Sequence, residues 1–270
     1  MNWLEGIIYG LVMGFTDILP ISSVAHSYLL AKLFGAGNPS PVQNLLVHLA
    51  ILIAVIQSNF GFLEQVRRQR SHLHRRLEMS VPTATLELRF FKNAILPMFI
   101  LFFLLKYCLK FEVNLAWIAL FSLINGILLF VQGRMMQGNK DARSLSILDS
   151  LLAGLASGLF ILPGISRISA SMAVFTARGI DREKATGWAI LLSIPALILV
   201  ILNDFLRIFS GDGNSVSIIV CILSAVAAYF AGYFGIRTLK RMSAVRDMSG
   251  FSYYSWGVAL FSFVLYLTVA

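Results

Sequence analysis

Two stretches of ten residues resemble each other: residues 14–23 read GFTDILPISS and residues 158–167 read GLFILPGISR. Each contains a Leu-Pro pair, with an isoleucine and a serine shortly after it. Because proline cannot continue a helix through its interior, the apolar regions Gly6–Phe34 and Leu148–Ala177 are each predicted to form a helix, a break and a second helix. Pro163 follows Pro20 by 143 residues, more than half the chain, which indicates an internal duplication.

The composition places the chain in a membrane. Of its 270 residues, 58% are hydrophobic and only 13% are charged. Soluble domains carry about a quarter charged residues, so we predict an integral membrane protein. The net charge of +9 is therefore not interpreted as a nucleic-acid-binding surface, which needs a solvated basic face. Cys108 and Cys221 lie singly in apolar runs, without the spacing of a disulfide framework or a zinc motif.

Six further apolar runs approach or reach the length that a membrane-crossing helix needs, about 17 to 25 residues. These runs are 42–58, 94–107, 113–131, 187–202, 216–236 and 251–269. Lys and Arg concentrate in four segments, 64–92, 132–147, 179–186 and 237–247, which the positive-inside rule assigns to the cytoplasm. Segment 203–215, which contains Asp204, Arg207 and Asp212, is then predicted to be an external loop.

This orientation requires each broken segment to return to the side from which it enters. The first hairpin then enters from outside and the second from the cytoplasm, as in an inverted-topology repeat. We therefore predict an all-α, polytopic membrane protein with about six spanning helices and two re-entrant hairpins. Residues 1–270 form a single membrane domain, with repeats over about 1–131 and about 148–270 and a basic cytoplasmic loop over about 64–92.

Polar side chains at the first break are the first candidates for a functional site. Asp17 precedes the break, Ser22 and Ser23 follow it, and His26 shares a helical face with the two serines. They fit a hydroxyl nucleophile or phosphate ligand beside a proton-transferring imidazole, with a carboxylate that orients it or holds a cation. A structural alternative is a serine N-cap followed by a histidine bonded to a backbone carbonyl.

The second break contributes Ser166 and Arg167, and Arg167 is the one charged residue between positions 151 and 177. Its guanidinium group and the N–H groups of the restarting helix suit phosphate oxygens in a low-dielectric site. The alternative is a structural ion pair between Arg167 and Asp17. His48, in the apolar run after the first hairpin, is interpreted as a packed residue of its helix rather than as a site residue.

These stretches resemble the motifs of the undecaprenyl pyrophosphate phosphatase family, bacterial membrane proteins of the bacitracin-resistance type. Residues 13–26, MGFTDILPISSVAH, are similar to its motif Glu-Gly-x-Thr-Glu-Phe-Leu-Pro-x-Ser-Ser-x-x-His. Residues 163–171, PGISRISAS, are similar to Pro-Gly-x-Ser-Arg-Ser-Gly-x-Thr. The resemblance implies removal of the terminal phosphate from a C55 isoprenoid diphosphate, for recycling of the peptidoglycan lipid carrier. It also implies a site open to the outer face of the bacterial cytoplasmic membrane.

The resemblance also implies residue roles. Ser23 would be the nucleophile or a phosphate ligand, His26 the proton-transfer partner or alternative nucleophile, and Arg167 the phosphate clamp, with Ser166 and Ser22 as further phosphate-binding residues. Asp17 would be the remaining catalytic carboxylate and the candidate ligand of a divalent cation, Mg²⁺ or Ca²⁺.

The chain departs from the motifs at a few positions. Met13 replaces the first glutamate, and Ile168 and Ser169 replace the Ser-Gly pair. The loss of one of two acidic groups predicts slower hydrolysis. A transporter of polyprenyl phosphate, or a silent paralogue that only binds lipid, is therefore kept as an alternative, because transport needs an anion clamp but no nucleophile. The expected partners are the polyprenyl lipid and the membrane, without nucleic acid, and a homodimer is kept open.

Overall fold

The computed structural model describes residues 1–35, 39–73, 83–108, 112–136, 138–210, 216–245 and 248–269, and within them it contains helices but no strands. The helices are α1 (Trp3–Ile18), α2 (Ser23–Phe34), α3 (Pro41–Ser58), α4 (Phe60–Leu73), α5 (Thr83–Phe103), α6 (Leu115–Arg134), α7 (Ile147–Gly158), α8 (Arg167–Ala177), α9 (Arg182–Phe209), α10 (Ile218–Val245) and α11 (Ser249–Val269). A π-helical turn, Leu104–Cys108, extends α5, and a 3₁₀ turn, Leu159–Ile161, extends α7.

Six helices in the described part of the chain are long and apolar enough to cross a membrane: α3, α5 with its π-helical turn, α6, α9, α10 and α11. The prediction of an all-α, polytopic membrane protein with about six spans is confirmed. The predicted external loop 203–215 is wrong in its first part, because α9 continues to Phe209. Asp204 does not end this helix because its carboxylate is buried and bonded to His48 of α3.

The basic segment 64–92 also contains more helix than predicted. Its first part lies in α4 and its last part in α5, while residues 74–82 lie outside the described residues. Glu64 accepts hydrogen bonds from Arg67 and Arg68, three and four residues later. Charged side chains at this spacing lie on one face of a helix and stabilise it, so the charge pattern of this segment is compatible with helix as well as loop.

The chain leaves helical geometry at both Leu-Pro pairs, as predicted. Each second helix starts at a serine N-cap: Ser22 Oγ accepts the Ala25 N–H at 3.4 Å, and Ser166 Oγ accepts the Ser169 N–H at 3.5 Å. Such caps satisfy N–H groups that have no partner within the helix, so the two serines fix where α2 and α8 begin.

The first helices of the two hairpins also begin alike. Asn2 caps α1 in a reciprocal capping box with Glu5, and Ser146 caps α7 in the same arrangement with Asp149. Each residue of the second pair follows its counterpart by 144 residues, which is also the separation of Ser22 and Ser166. The similarity between the two broken segments therefore runs from their first caps to their breaks.

Each broken segment packs against helices of the other half of the chain. α1 lies along α10, and α7 lies along α5. Glycines permit the close approach: a Cβ added to Gly10 would lie 2.1 Å from the Ser224 carbonyl oxygen, and one added to Gly154 would lie 2.1 Å from that of Ala94. The breaks that follow α1 and α7 are thereby held next to each other inside the helix bundle.

Candidate active site

The two breaks border a cavity of about 470 Å³, which is lined by side chains of α1, α2, α3, α8, α9 and the π-helical turn after α5. Five of the six predicted site residues line it: Asp17, Ser22, Ser23, Ser166 and Arg167. Asp17 and Arg167, which are 150 positions apart in the sequence, therefore lie close together because the two hairpin tips meet.

Arg167 and Asp17 form a buried ion pair at the wall of this cavity. Arg167 Nη2 donates to Asp17 Oδ2 at 2.5 Å and to the Asp17 carbonyl oxygen at 3.3 Å, and each residue is only 5% exposed. The ion pair considered as a structural alternative is thus present. It does not use the whole guanidinium group, because Arg167 Nε is buried without a partner among the described residues. Donors that lack a protein partner in a cavity wall are suited to an anionic ligand.

Ser23 is bonded to the same carboxylate. Its Oγ donates to Asp17 Oδ1 at 2.9 Å, so the two oxygens of Asp17 separately hold a hydroxyl group and a guanidinium group. A carboxylate in this position orients the hydroxyl and can accept its proton when the oxygen attacks an electrophile. Ser23, Asp17 and Arg167 therefore form one connected set of nucleophile, base and cation.

The starts of α2 and α8 meet beside this set. Ser22 Oγ accepts the Gly164 N–H at 3.0 Å, and Ser166 Oγ donates to the Leu19 carbonyl oxygen at 3.4 Å. Gly164 has φ +122°, which other residues rarely adopt, and an added Cβ would lie 2.5 Å from the Ser122 nitrogen in α6. Two helix N-termini at one point provide N–H groups and positive dipole ends for an anion.

Asn125 of α6 links the two breaks, a role that was not predicted from the sequence. Its Nδ2 donates to the Pro20 carbonyl oxygen and to Ser255 Oγ, each at 3.0 Å, while its Oδ1 accepts the Ser166 N–H at 3.0 Å. The side chain is completely buried. The available signal was an amide in the middle of a largely apolar spanning run, since such groups in membrane helices need partners within the protein.

His26 lies apart from the cavity. Its Nδ1 is 2.6 Å from the Ser22 carbonyl oxygen, its Nε2 is 2.7 Å from the Tyr254 hydroxyl oxygen, and its ring stacks on that of Tyr254 in α11. The backbone-bonded histidine considered as a structural alternative is therefore observed. The ring borders an apolar groove between α1, α2 and α11 instead.

His48 is buried, as expected of a packed residue, and it also lies in the cavity wall. Its Nδ1 is 2.7 Å from Oδ2 of the buried Asp204. Asn44, one turn before His48, also lines the cavity and accepts a hydrogen bond from Tyr9 at 2.5 Å. The signal for this polar face was the spacing of Asn44 and His48, four residues apart in an apolar run.

Two further cations line the cavity, Lys106 of the π-helical turn and Arg207 of α9. With Arg167 they outnumber Asp17, the one carboxylate in the lining. This excess of positive charge suits a ligand with several negative charges.

The residues at the breaks do not fit a divalent cation held by the protein. Both Asp17 oxygens are occupied, one by Ser23 and the other by Arg167. The neighbouring lining position one turn away is Met13, which has no oxygen donor. Among the described residues, no group of three or more His, Cys, Asp or Glu side chains is arranged to hold a metal ion.

Known proteins of one family are similar to this protein over almost the whole chain. A family model described as bacitracin resistance protein BacA matches residues 6–261. Undecaprenyl-diphosphatase 3 of Bacillus cereus is 28% identical over 269 residues, which cover 99% of each chain. The undecaprenyl-diphosphatase of Carboxydothermus hydrogenoformans is 29% identical over 95% of this chain and 94% of that protein. The undecaprenyl-diphosphatase of Treponema denticola is 30% identical over 94% of each chain.

Proposed function

Since the chain belongs to the bacitracin resistance protein BacA family, we propose that it hydrolyses undecaprenyl diphosphate to undecaprenyl phosphate and inorganic phosphate. The observation that carries this proposal is the connected set of Ser23, Asp17 and Arg167 in a cation-rich cavity. A pure transporter has no need of a hydroxyl group bonded to a carboxylate beside a phosphate-binding cation. The set therefore favours hydrolysis over the transport of polyprenyl phosphate.

We assign the steps of phosphoryl transfer to this set. The guanidinium group of Arg167, the α2 and α8 N-termini, and the hydroxyl group of Ser22 bind the terminal phosphate, while Ser166, whose hydroxyl donates to the Leu19 carbonyl oxygen, positions the start of α8. Ser23 Oγ attacks its phosphorus, and Asp17 takes the hydroxyl proton. The bond from phosphorus to the bridging oxygen breaks, and its electron pair leaves on undecaprenyl phosphate. Water then hydrolyses the phosphoserine to release inorganic phosphate and restore Ser23.

The steps above do not use His26, for which the sequence predicts a role in proton transfer. Both ring nitrogens are engaged, one with the Ser22 carbonyl group and the other with Tyr254. Proton transfer by His26 would require the ring to leave Tyr254. In the observed conformation His26 instead restrains the backbone at Ser22, next to the nucleophile.

We further propose that the protein acts in the bacterial cytoplasmic membrane and that the cavity opens to its outer face. Val113 and Arg207 line the cavity close to the start of α6 and the end of α9. The distribution of Lys and Arg assigns these helix ends to the outside, with the two hairpins re-entrant from opposite sides. The diphosphate head would then enter from the outer face while the prenyl chain stays in lipid. The homodimer stays a prediction.

Purified protein in detergent is expected to release phosphate from undecaprenyl diphosphate, with undecaprenyl phosphate formed in equal amount. The assay follows inorganic phosphate and the lipid product separately, with undecaprenyl phosphate as a control substrate that should release none. If the protein binds the lipid but releases no phosphate, the proposed hydrolysis is wrong and the transport alternative takes its place.

Replacement of Met13 by glutamate is expected to raise kcat/KM for phosphate release by about tenfold and to make the gain sensitive to chelator. Met13 is buried in the cavity lining, one helical turn before Asp17. A second carboxylate there would allow a cation to be shared between the protein and the substrate phosphates. Met13→Gln is the uncharged control, and equal activities of the two variants would show that the missing charge does not limit the rate.

A further inference from the structure

His48 and Asp204 form a second buried proton-transfer arrangement in the cavity, which the steps above do not use. The two residues lie on α3 and α9, and His48 is 8% exposed while Asp204 is 3% exposed. A carboxylate can only accept at this contact, so the Asp204 bond of 2.7 Å assigns the ring proton to His48 Nδ1. Nε2 is then an acceptor, and it has no partner among the described residues.

The hydrolysis of a phosphoserine needs a base that is free when water attacks. At this stage Asp17 holds the proton taken from Ser23, and its other oxygen accepts from Arg167, so Asp17 is not available as that base. The other titratable groups in the cavity lining are a tyrosine that donates to Asn44 and three cations. Among the groups that line the cavity, His48 Nε2 is therefore the acceptor that remains.

We infer that His48, held by Asp204, is the base that activates water in the second half of the reaction; this inference rests on the proposed function. His48 Nε2 takes a proton from the water molecule, and the water oxygen forms a bond to the phosphorus of phosphorylated Ser23. The bond from phosphorus to Ser23 Oγ breaks, and the serine oxygen keeps its electron pair and recovers a proton from Asp17. The Asp204 carboxylate stabilises the imidazolium that forms.

The competing explanation is that His48 serves only as a structural hydrogen-bond contact between α3 and α9. Replacement of His48 by asparagine distinguishes the two explanations. The asparagine amide can donate to Asp204 from near the position of Nδ1 but has no atom at the position of Nε2. The variant keeps the contact between the helices and loses the base. His72→Gln, in the basic segment on α4, is the matched histidine control.

His48→Asn is expected to lower steady-state phosphate release by about 100-fold, in the range typical of a lost general base. Because the first step does not use His48, the variant should still release one equivalent of undecaprenyl phosphate rapidly and then stall. Mass spectrometry should find phosphate on Ser23. Asp204→Asn should also slow phosphate release, since an amide can donate to Nδ1 and so impose the wrong tautomer.

The pH dependence gives a second readout. The rate of phosphate release by the wild-type protein should rise with pH, because the imidazolium form of His48 loses the proton on Nε2 and becomes able to act as a base. His48→Asn should lack this rise. Charged and titratable groups from the surrounding elements lie around the same cavity or contact this ring; they are Tyr9 and Asp17 of α1, Arg167 of α8, Lys106 of the π-helical turn, and Asp204 and Arg207 of α9. The comparison between variants isolates His48, since these groups are unchanged in His48→Asn.

The outcomes are distinct. A wild-type protein that releases no phosphate contradicts the proposed function. An active wild-type protein with a His48→Asn variant of similar rate and unchanged pH profile overturns the role of His48 and leaves the proposed function intact. A slow variant that shows no burst of undecaprenyl phosphate also overturns it, because the loss would then lie in the first step or in the fold.

Discussion

Replacement of Arg167 by alanine is expected to lower kcat/KM for phosphate release by at least about 1000-fold. The change removes the cation that binds the terminal phosphate and leaves the carboxylate of Asp17 buried without its ion-pair partner. An arginine that stabilises the charge on a transferring phosphoryl group contributes about 10³–10⁵ in kcat. Breaking one half of a buried ion pair separately lowers the stability of the fold, by about 3–5 kcal/mol. Arg167→Lys should retain some activity, because it keeps the charge without the planar fork.

The measurement is phosphate release from undecaprenyl diphosphate, together with thermal unfolding in detergent to separate catalysis from folding. The double variant Asp17→Asn with Arg167→Ala removes both charges, so it should unfold at a higher temperature than Arg167→Ala while staying inactive. Arg237→Ala changes an exposed arginine that stacks on Tyr233, and it should behave like the wild-type protein. An active Arg167→Ala variant would refute the proposed phosphate clamp.

The sequence predicts the breaks and the residues next to them because their causes are local. Proline interrupts a helix wherever it occurs in the interior, and a serine directly after the break caps the next helix. The recurrence of this pattern after 143 residues, together with the Lys and Arg distribution, was enough to place the hairpin tips together. Asp17 and Arg167 are assigned to one site on that basis, with an ion pair between them as the structural alternative.

The side of a helix that a residue faces is not a local property, so the sequence predicts it less well than it predicts the breaks. The spacing of Ser23 and His26 indicated one shared helical face, but Tyr254, 228 residues after His26, takes the ring away from the cavity. Asp204 resembled a loop residue because a charge inside a membrane helix is costly. Its partner, His48, lies 156 residues earlier, so only the packing of α3 against α9 shows why the helix continues.

Loss of the Ser23 hydroxyl group is expected to lower kcat by about 1000-fold while the protein still binds undecaprenyl phosphate. Ser23→Ala removes the attacking oxygen but leaves the ion pair of Asp17 and Arg167 and the cap at Ser22 unchanged. Binding should survive for this reason, so the loss should appear in kcat rather than in KM. Ser27→Ala, a change one turn later on the same cavity wall, is the control and should keep wild-type kinetics. A Ser23→Ala variant with nearly wild-type kcat would mean that water attacks the terminal phosphate directly, with Asp17 or His48 as its base, and that Ser23 serves only as a phosphate ligand.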